Sequence, residues 1–127
     1  MPPALPPDLP IDATAFARDW AAGWNSHDLD RIMAHYREDI LFRSRKALAL
    51  VGASELRGVA ALRAYWADAL ARQPALHFEI EAVFGGHEML VILYRNHAGV
   101  RATETLWFDP EGRVFQAAAC HEATAAA

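Results

Sequence analysis

What is scarce in this chain narrows its function first. A single cysteine, Cys120, rules out an internal disulfide and makes a reducing, cytoplasmic setting the expectation. No apolar run approaches the roughly 18–20 residues of a membrane span. The first residues show neither a charged n-region nor an apolar h-region, so neither a membrane anchor nor a signal peptide is expected. Acidic residues outnumber basic ones, 16 to 12, and no basic stripe is visible, which makes nucleic acid an unsuitable partner. His27, His77, His87 and His97 fall in turns or on outward faces without metal-ligand spacing, so no metal is expected. There is no P-loop, no GxGxxG after a strand, no CxxC and no GxSxG, and hence no cofactor to expect. No internal repeat is visible.

What is present is apolar surface. Hydrophobic residues make up 54% of 127, with four tryptophans, which suits one domain that forms a pocket or an oligomer face. Pro2, Pro3, Pro6, Pro7 and Pro10 are five of the seven prolines. Proline neither continues a helix nor donates to a ladder, so residues 1–12 are expected to be an extended or disordered arm: a loose terminus, or a strap across a partner subunit. The single domain should run over 13–122, and residues 123–127 form a frayed tail.

Within the domain, Phe16, Trp20, Ala21 and Trp24 recur at helical spacing, and a first helix is expected over 13–27. Asn25-Ser26-His27-Asp28 stops it, and Asp28 is suited to cap a second helix, 28–38, with Leu29, Ile32, Met33 and Tyr36 on its apolar face. A strand over 39–45 puts Ile40, Phe42 and Ser44 on one side. Residues 46–57 lack a period and read as a connecting loop. A third helix, 58–72, buries Val59, Leu62, Tyr65, Trp66, Ala69 and Leu70 and ends before Pro74. After that every period is two. Leu76, Phe78 and Ile80 alternate inward, Gly85-Gly86 turns the chain, and strands follow over 88–97, 100–108 and 113–121. The order α-α-β-α-β-β-β-β predicts an α+β cone, a curved antiparallel sheet wrapped around three helices of the N-terminal half.

Register decides which side chains meet inside. A four-residue loop at 109–112 pairs Phe108 with Arg113, Leu106 with Phe115 and Glu104 with Ala117. Glu104, Leu106, Phe108, Phe115 and His121 then share the inner face. Arg101, Thr103, Thr105, Trp107, Val114, Gln116 and Cys120 take the outer one, which suits a homodimer contact. Glu104 sits on an apolar face where a carboxylate must be paired, hydrogen-bonded or protonated. Two readings stand: a pocket acid, or an exposed or ion-paired residue near a strand end. His121 titrates near neutrality and could serve as acid or base, and His35 could also reach the interior. Trp20, Trp24, Phe42, Tyr65, Trp66 and Tyr94, with Leu106 and Phe108, would line a pocket for a small, flat, apolar molecule. The inward facing of Tyr94 depends on the turn at Ala98-Gly99.

The helix, the WNSHDLD turn, the second helix and the following strand resemble the opening of the NTF2-like, or SnoaL-like, superfamily, and the FDPEGRV hairpin extends the resemblance to His121. Those are cone-shaped α+β domains, among them ketosteroid isomerase, limonene epoxide hydrolase and polyketide cyclases. The resemblance implies a cystatin-like cone. It puts Glu104 at the isomerase's oxyanion-hole carboxylic acid and His121 at a pocket aromatic. It also puts Trp20 at the oxyanion tyrosine and Ser44 at the general-base aspartate. An indole is no base and a serine has no carboxylate, so the implied activity is not steroid isomerisation. Three functions remain open: acid–base chemistry on an apolar substrate with Glu104 and His121, non-catalytic binding of a small apolar ligand, and a structural dimerisation domain.

Overall fold

The chain's own caps set where its helices begin and end. In the computed structural model, which describes Leu9 and residues 11–123, Asp12 accepts from the Ala15 amide at 2.8 Å and opens α1, Ala13–Ser26. His27 closes it in the left-handed region, φ 60°, with its amide on the Trp24 carbonyl. Asp28 caps α2, Leu29–Met33. The proline-rich arm lies mostly outside the described residues, as do the tail residues 124–127. Leu9 and Ile11, which are described, pack against the core.

Helix α2 is shorter than its apolar period suggests. The carbonyls of His35 and Tyr36 are taken by the Val114 amide at 2.9 Å and the Arg113 guanidinium at 2.8 Å. Pairing with a strand from the far end of the chain therefore starts β1, Tyr36–Arg43, where the helix would have continued. Residues 46–57 are not a loop. Arg45–Val51 form α3, closed by Gly52 at φ 77°, and Glu55–Arg57 form β2 against β1. Seven residues make about two turns and only Ala47 is buried, so α3 leaves no period to read. α4, Val59–Arg72, buries Leu62, Tyr65, Trp66 and Ala69 as its spacing predicts.

The remaining strands are β3 (Glu79–Gly86), β4 (Met89–Arg95), β5 (Arg101–Phe108) and β6 (Val114–His121). The β3–β4 turn falls on His87-Glu88 rather than Gly85-Gly86, with Glu88 at φ 53°. The six strands form one curved, unclosed sheet in the order β2-β1-β6-β5-β4-β3, antiparallel except for β1 beside β6. This is the expected α+β cone, with one short helix, one short strand and one parallel pair more than expected. α1 packs against β3 and α4 against β1 and β2.

The β5–β6 register differs from expectation by two. The Asp109 amide bonds the Arg113 carbonyl, which makes the loop five residues long, and a bulge at Phe115 adds one more. Phe108 therefore faces Val114, and Glu104 faces Ala119. Each one-residue slip flips the faces, and two restore them. Ala117, Ala119 and His121 keep the inner side of the strand. Between the two slips the faces exchange: Val114 is fully buried, and Phe115 lies under the Arg37 guanidinium instead of joining the inner set.

Candidate functional site

A cavity of about 70 Å³ opens between the helices and the inner face of the sheet. That is roughly five times the ~10–15 Å³ that admits one water. α1 contributes Trp20 and Trp24, α4 Tyr65 and Trp66, β1 Phe42, the residue before α3 Ser44, β4 Tyr94, β5 Glu104 and β6 His121. Leu106 and Phe108, expected in the wall, are absent from it. They are almost fully buried further along β5, where Phe108 meets Phe16 edge-on at 5.0 Å. His35 is absent too. Its Nε2 lies 3.1 Å from an Asp19 carboxylate oxygen, its ring packs on Phe16, and burial holds its pKa down.

The aromatic wall is one connected set of rings. Trp66 meets Trp24 and Tyr36 at 5.0 Å and Phe42 at 5.3 Å, all edge-on. Phe78 stacks on Trp20 and meets Tyr94 at 4.5 Å. Such pairs contribute about 0.5–1.5 kcal/mol each beyond burial.

Phe78 also lines the cavity, held by a group that no local pattern in the sequence ties to it. Asn25 clamps Phe78 with both ends of its amide: Oδ1 accepts from the Phe78 N–H at 2.7 Å, and Nδ2 donates to the Phe78 carbonyl at 3.0 Å. His27 Nε2 lies 2.8 Å from the Leu76 carbonyl. The Asn and His of the WNSHD turn thus fasten residues 76–78 to the end of α1. A polar pair at a helix C-terminus was the available signal, but its partners lie about fifty residues away.

Among the described residues, three buried side-chain polar atoms lack a hydrogen-bond partner: Trp24 Nε1, Ser44 Oγ and Glu104 Oε1. All three belong to residues lining the cavity. Trp20, by contrast, donates its N–H to the Tyr36 hydroxyl at 3.3 Å. Ser44 Oγ lies close enough to Tyr65 to temper that phenol's pKa, yet it forms no hydrogen bond of ordinary length. Left dry, each would cost about 1–3 kcal/mol, so each is a group that takes its hydrogen bond from whatever fills the cavity, water or a bound molecule.

Glu104 is 4% exposed, with Ile92 and Ala119 directly opposite and Tyr94 and His121 on its diagonals. Burial pushes its pKa well up, so the carboxyl is held toward its neutral form. Its charge, where present, helps to push up the phenols of Tyr36, Tyr65 and Tyr94. Burial, and then the Lys46 ammonium, push His121 down to about 4, so its imidazole is neutral at physiological pH. The diagonal relation sets the two side chains about 7–8 Å apart at their bases, and no hydrogen bond joins them. Among the described residues no group of three His, Cys, Asp or Glu side chains could hold a metal ion. No helix there is long and apolar enough to cross a membrane.

A half-open α+β cone with a small aromatic cavity on its inner face defines the NTF2-like, or cystatin-like, class of domain. Within that class, residues 17–126 match the SnoaL-like domain, and the chain belongs to that family. It is similar to a SnoaL-like protein of unknown function from Burkholderia thailandensis E264: 39% identity, 87% of this chain and 94% of that one covered, TM-score 0.82. Two more distant structures show the shared fold. SalBIII, an epoxide hydrolase/cyclase-like enzyme in pyran ring formation in the polyether salinomycin, is 15% identical over 87% of this chain and 91% of its own, TM-score 0.69. TerC, co-crystallised with polyporic acid, is 11% identical over 87% of this chain and 92% of its own, TM-score 0.71. No curated protein matches the chain in sequence.

Proposed function

We propose that the chain is a SnoaL-like enzyme that performs acid–base chemistry on a small, largely apolar molecule bearing an oxygen function. The observation that carries the reading is Glu104: a buried carboxyl with an unpartnered oxygen, beside two more unpartnered groups in one aromatic cavity. A carboxyl held neutral donates a hydrogen bond or a proton to a substrate oxygen, and the Trp24 N–H adds a second donor. His121, held neutral, accepts a proton from the other end of the substrate. Burial thus leaves a proton on Glu104 to donate and a free lone pair on His121, a weak base at about 4, to accept one. SalBIII, which shares the fold, is epoxide hydrolase/cyclase-like, in keeping with an enzyme on this scaffold. Ketosteroid isomerisation is not proposed. The resemblance puts Trp20 and Ser44 where that reaction needs a tyrosine and an aspartate.

The absence of a Glu104–His121 hydrogen bond favours a second reading, a non-catalytic module that binds the same kind of molecule. A solvent-exchange experiment separates the two. Small ketones are incubated with the protein in D₂O, and deuterium uptake next to the carbonyl is followed by NMR. The enzyme reading expects uptake above the buffer rate that Glu104→Ala removes. Binding without uptake leaves the second reading, and no binding sinks both.

The expected partner is a second copy of the chain, in a cytoplasmic setting. The outer face of the sheet carries Trp107 and Thr105, with Val91 and the 57% exposed Phe84 in adjoining strands. A homodimer through this face predicts that Trp107→Glu shifts the protein toward monomer in light scattering. A native protein that is monomeric at micromolar concentration would end that proposal.

A further inference from the structure

Charge at the cavity opening runs against the charge of the chain. The protein is net −4, and Lys46 is its only lysine. Eight of its arginines are held by carboxylates in ion pairs, and Arg113 donates to the Tyr36 carbonyl. Among the described residues Lys46 forms no ion pair. It stands near the start of α3, exposed, and lines the cavity. It faces the half-buried His121 closely enough to oppose protonation there.

The lining residues carry one carboxyl, Glu104, and that one is buried and held toward neutrality. The tyrosines of the wall are neutral, and Gln73 and Asn96 add uncharged amides. At physiological pH the lining therefore carries one charge, the Lys46 ammonium. The exposure gradient gives the site a direction. Trp24, Ser44 and Glu104 are buried at the inner end, whereas Lys46 and His121 stand at the outer end.

We propose that Lys46 makes the mouth of this cavity an anion-recognition site, so that the ligand is a short carboxylate with an uncharged oxygen function at its other end. Building on the reading of Glu104 above, the inner oxygen takes the Glu104 and Trp24 donors. The carboxylate takes Lys46, with the His121 imidazole beside it. A few carbon atoms between the two groups fit a cavity of about 70 Å³. An oxo acid is the simplest member of the class. A cationic ligand would meet Lys46 as a like charge, and a doubly apolar one would leave Trp24, Ser44 and Glu104 unpartnered.

The test uses three probes of one length: 4-oxopentanoate, its methyl ester and pentanoate. Their affinities are measured by protein-observed NMR at low ionic strength. The expected result is that 4-oxopentanoate binds about three- to fivefold tighter than the ester, the size expected of a solvent-exposed charge pair. The preference should shrink with added salt, vanish in Lys46→Met and survive in Lys46→Arg. Equal binding of acid and ester, or an unchanged preference in Lys46→Met, overturns the anion site and leaves the Glu104 reading standing. If pentanoate binds as well as the oxo acid and both need Lys46, the anion site stands and the Glu104 reading falls. If none of the three binds, both fall.

Discussion

Two buried carboxyls sit five residues apart along one stretch of chain, and they are treated in opposite ways. Asp109, 8% exposed at the end of β5, is fully engaged. Its Oδ1 accepts from the amides of Glu111 at 3.0 Å and Arg113 at 2.9 Å, and its Oδ2 meets the Arg37 guanidinium at 3.4 Å. Glu104, 4% exposed in the middle of the strand, leaves an oxygen unbonded and, among the described residues, pairs with no cation. The first arrangement holds a loop and sets a register. The second costs stability and places a proton donor beside a cavity. Burial alone does not make a carboxyl a candidate acid; burial without partners does.

The comparison can be broken by mutation, and the largest effect is expected at Asp109. Asp109→Ala frees two loop amides and leaves Arg37 on Asp39 alone, and should destabilise the fold by about 2–4 kcal/mol in urea unfolding. A loss below about 1 kcal/mol would mean that the loop does not depend on that carboxylate. Asn25 belongs with Asp109, since both ends of its amide are used. Asn25→Ala should cost about 1–2 kcal/mol and alter the tryptophan fluorescence, because Phe78 stacks on Trp20. Unchanged fluorescence would separate the clamp from the cavity wall.

At Glu104 the sign should reverse. Its folded pKa is raised, so the stability tied to its proton is complete below the ordinary carboxylate pKa and is lost as pH rises through the folded value. Glu104→Gln cannot ionise. It should match the wild type near pH 4, melt a few degrees higher by pH 8, and bind 4-oxopentanoate more weakly. A lower melting temperature at every pH would place Glu104 with Asp109 as a structural residue.

His121 should show the smallest effect and the opposite slope. Its folded pKa is depressed from 6.5 to about 4, so its contribution is present above 6.5 and is lost as pH falls toward 4. His121 is half exposed, and the expected loss over that window is about 1 kcal/mol at most after screening. Wild type minus His121→Gln in thermal melts from pH 7 to pH 4 measures it. A flat difference would leave His121 as ordinary surface.

The amino-acid sequence determined the parts whose partners are near in the chain. Helical spacing placed the buried faces of α1 and α4, and strand alternation put Ile40, Phe42 and Ser44 inside. The cone followed from element order, and Glu104 came to the inner face because strand parity is a local property. The tertiary structure decided what depends on distant groups. It ended α2 early by pairing β1 with β6, and it made α3 from seven residues too few to show a period. At the β5–β6 loop it added two residues to the register, which exchanged Val114 and Phe115 and returned His121 to the inner face. It moved Leu106 and Phe108 out of the cavity wall, and brought in Phe78 from an alternating stretch and Lys46 from a segment without a period. Whether a polar group is satisfied is likewise decided only in three dimensions. The partners of Asp109 include an arginine 72 residues away, and the absence of any such partner at Glu104 cannot be read from its neighbours in the chain.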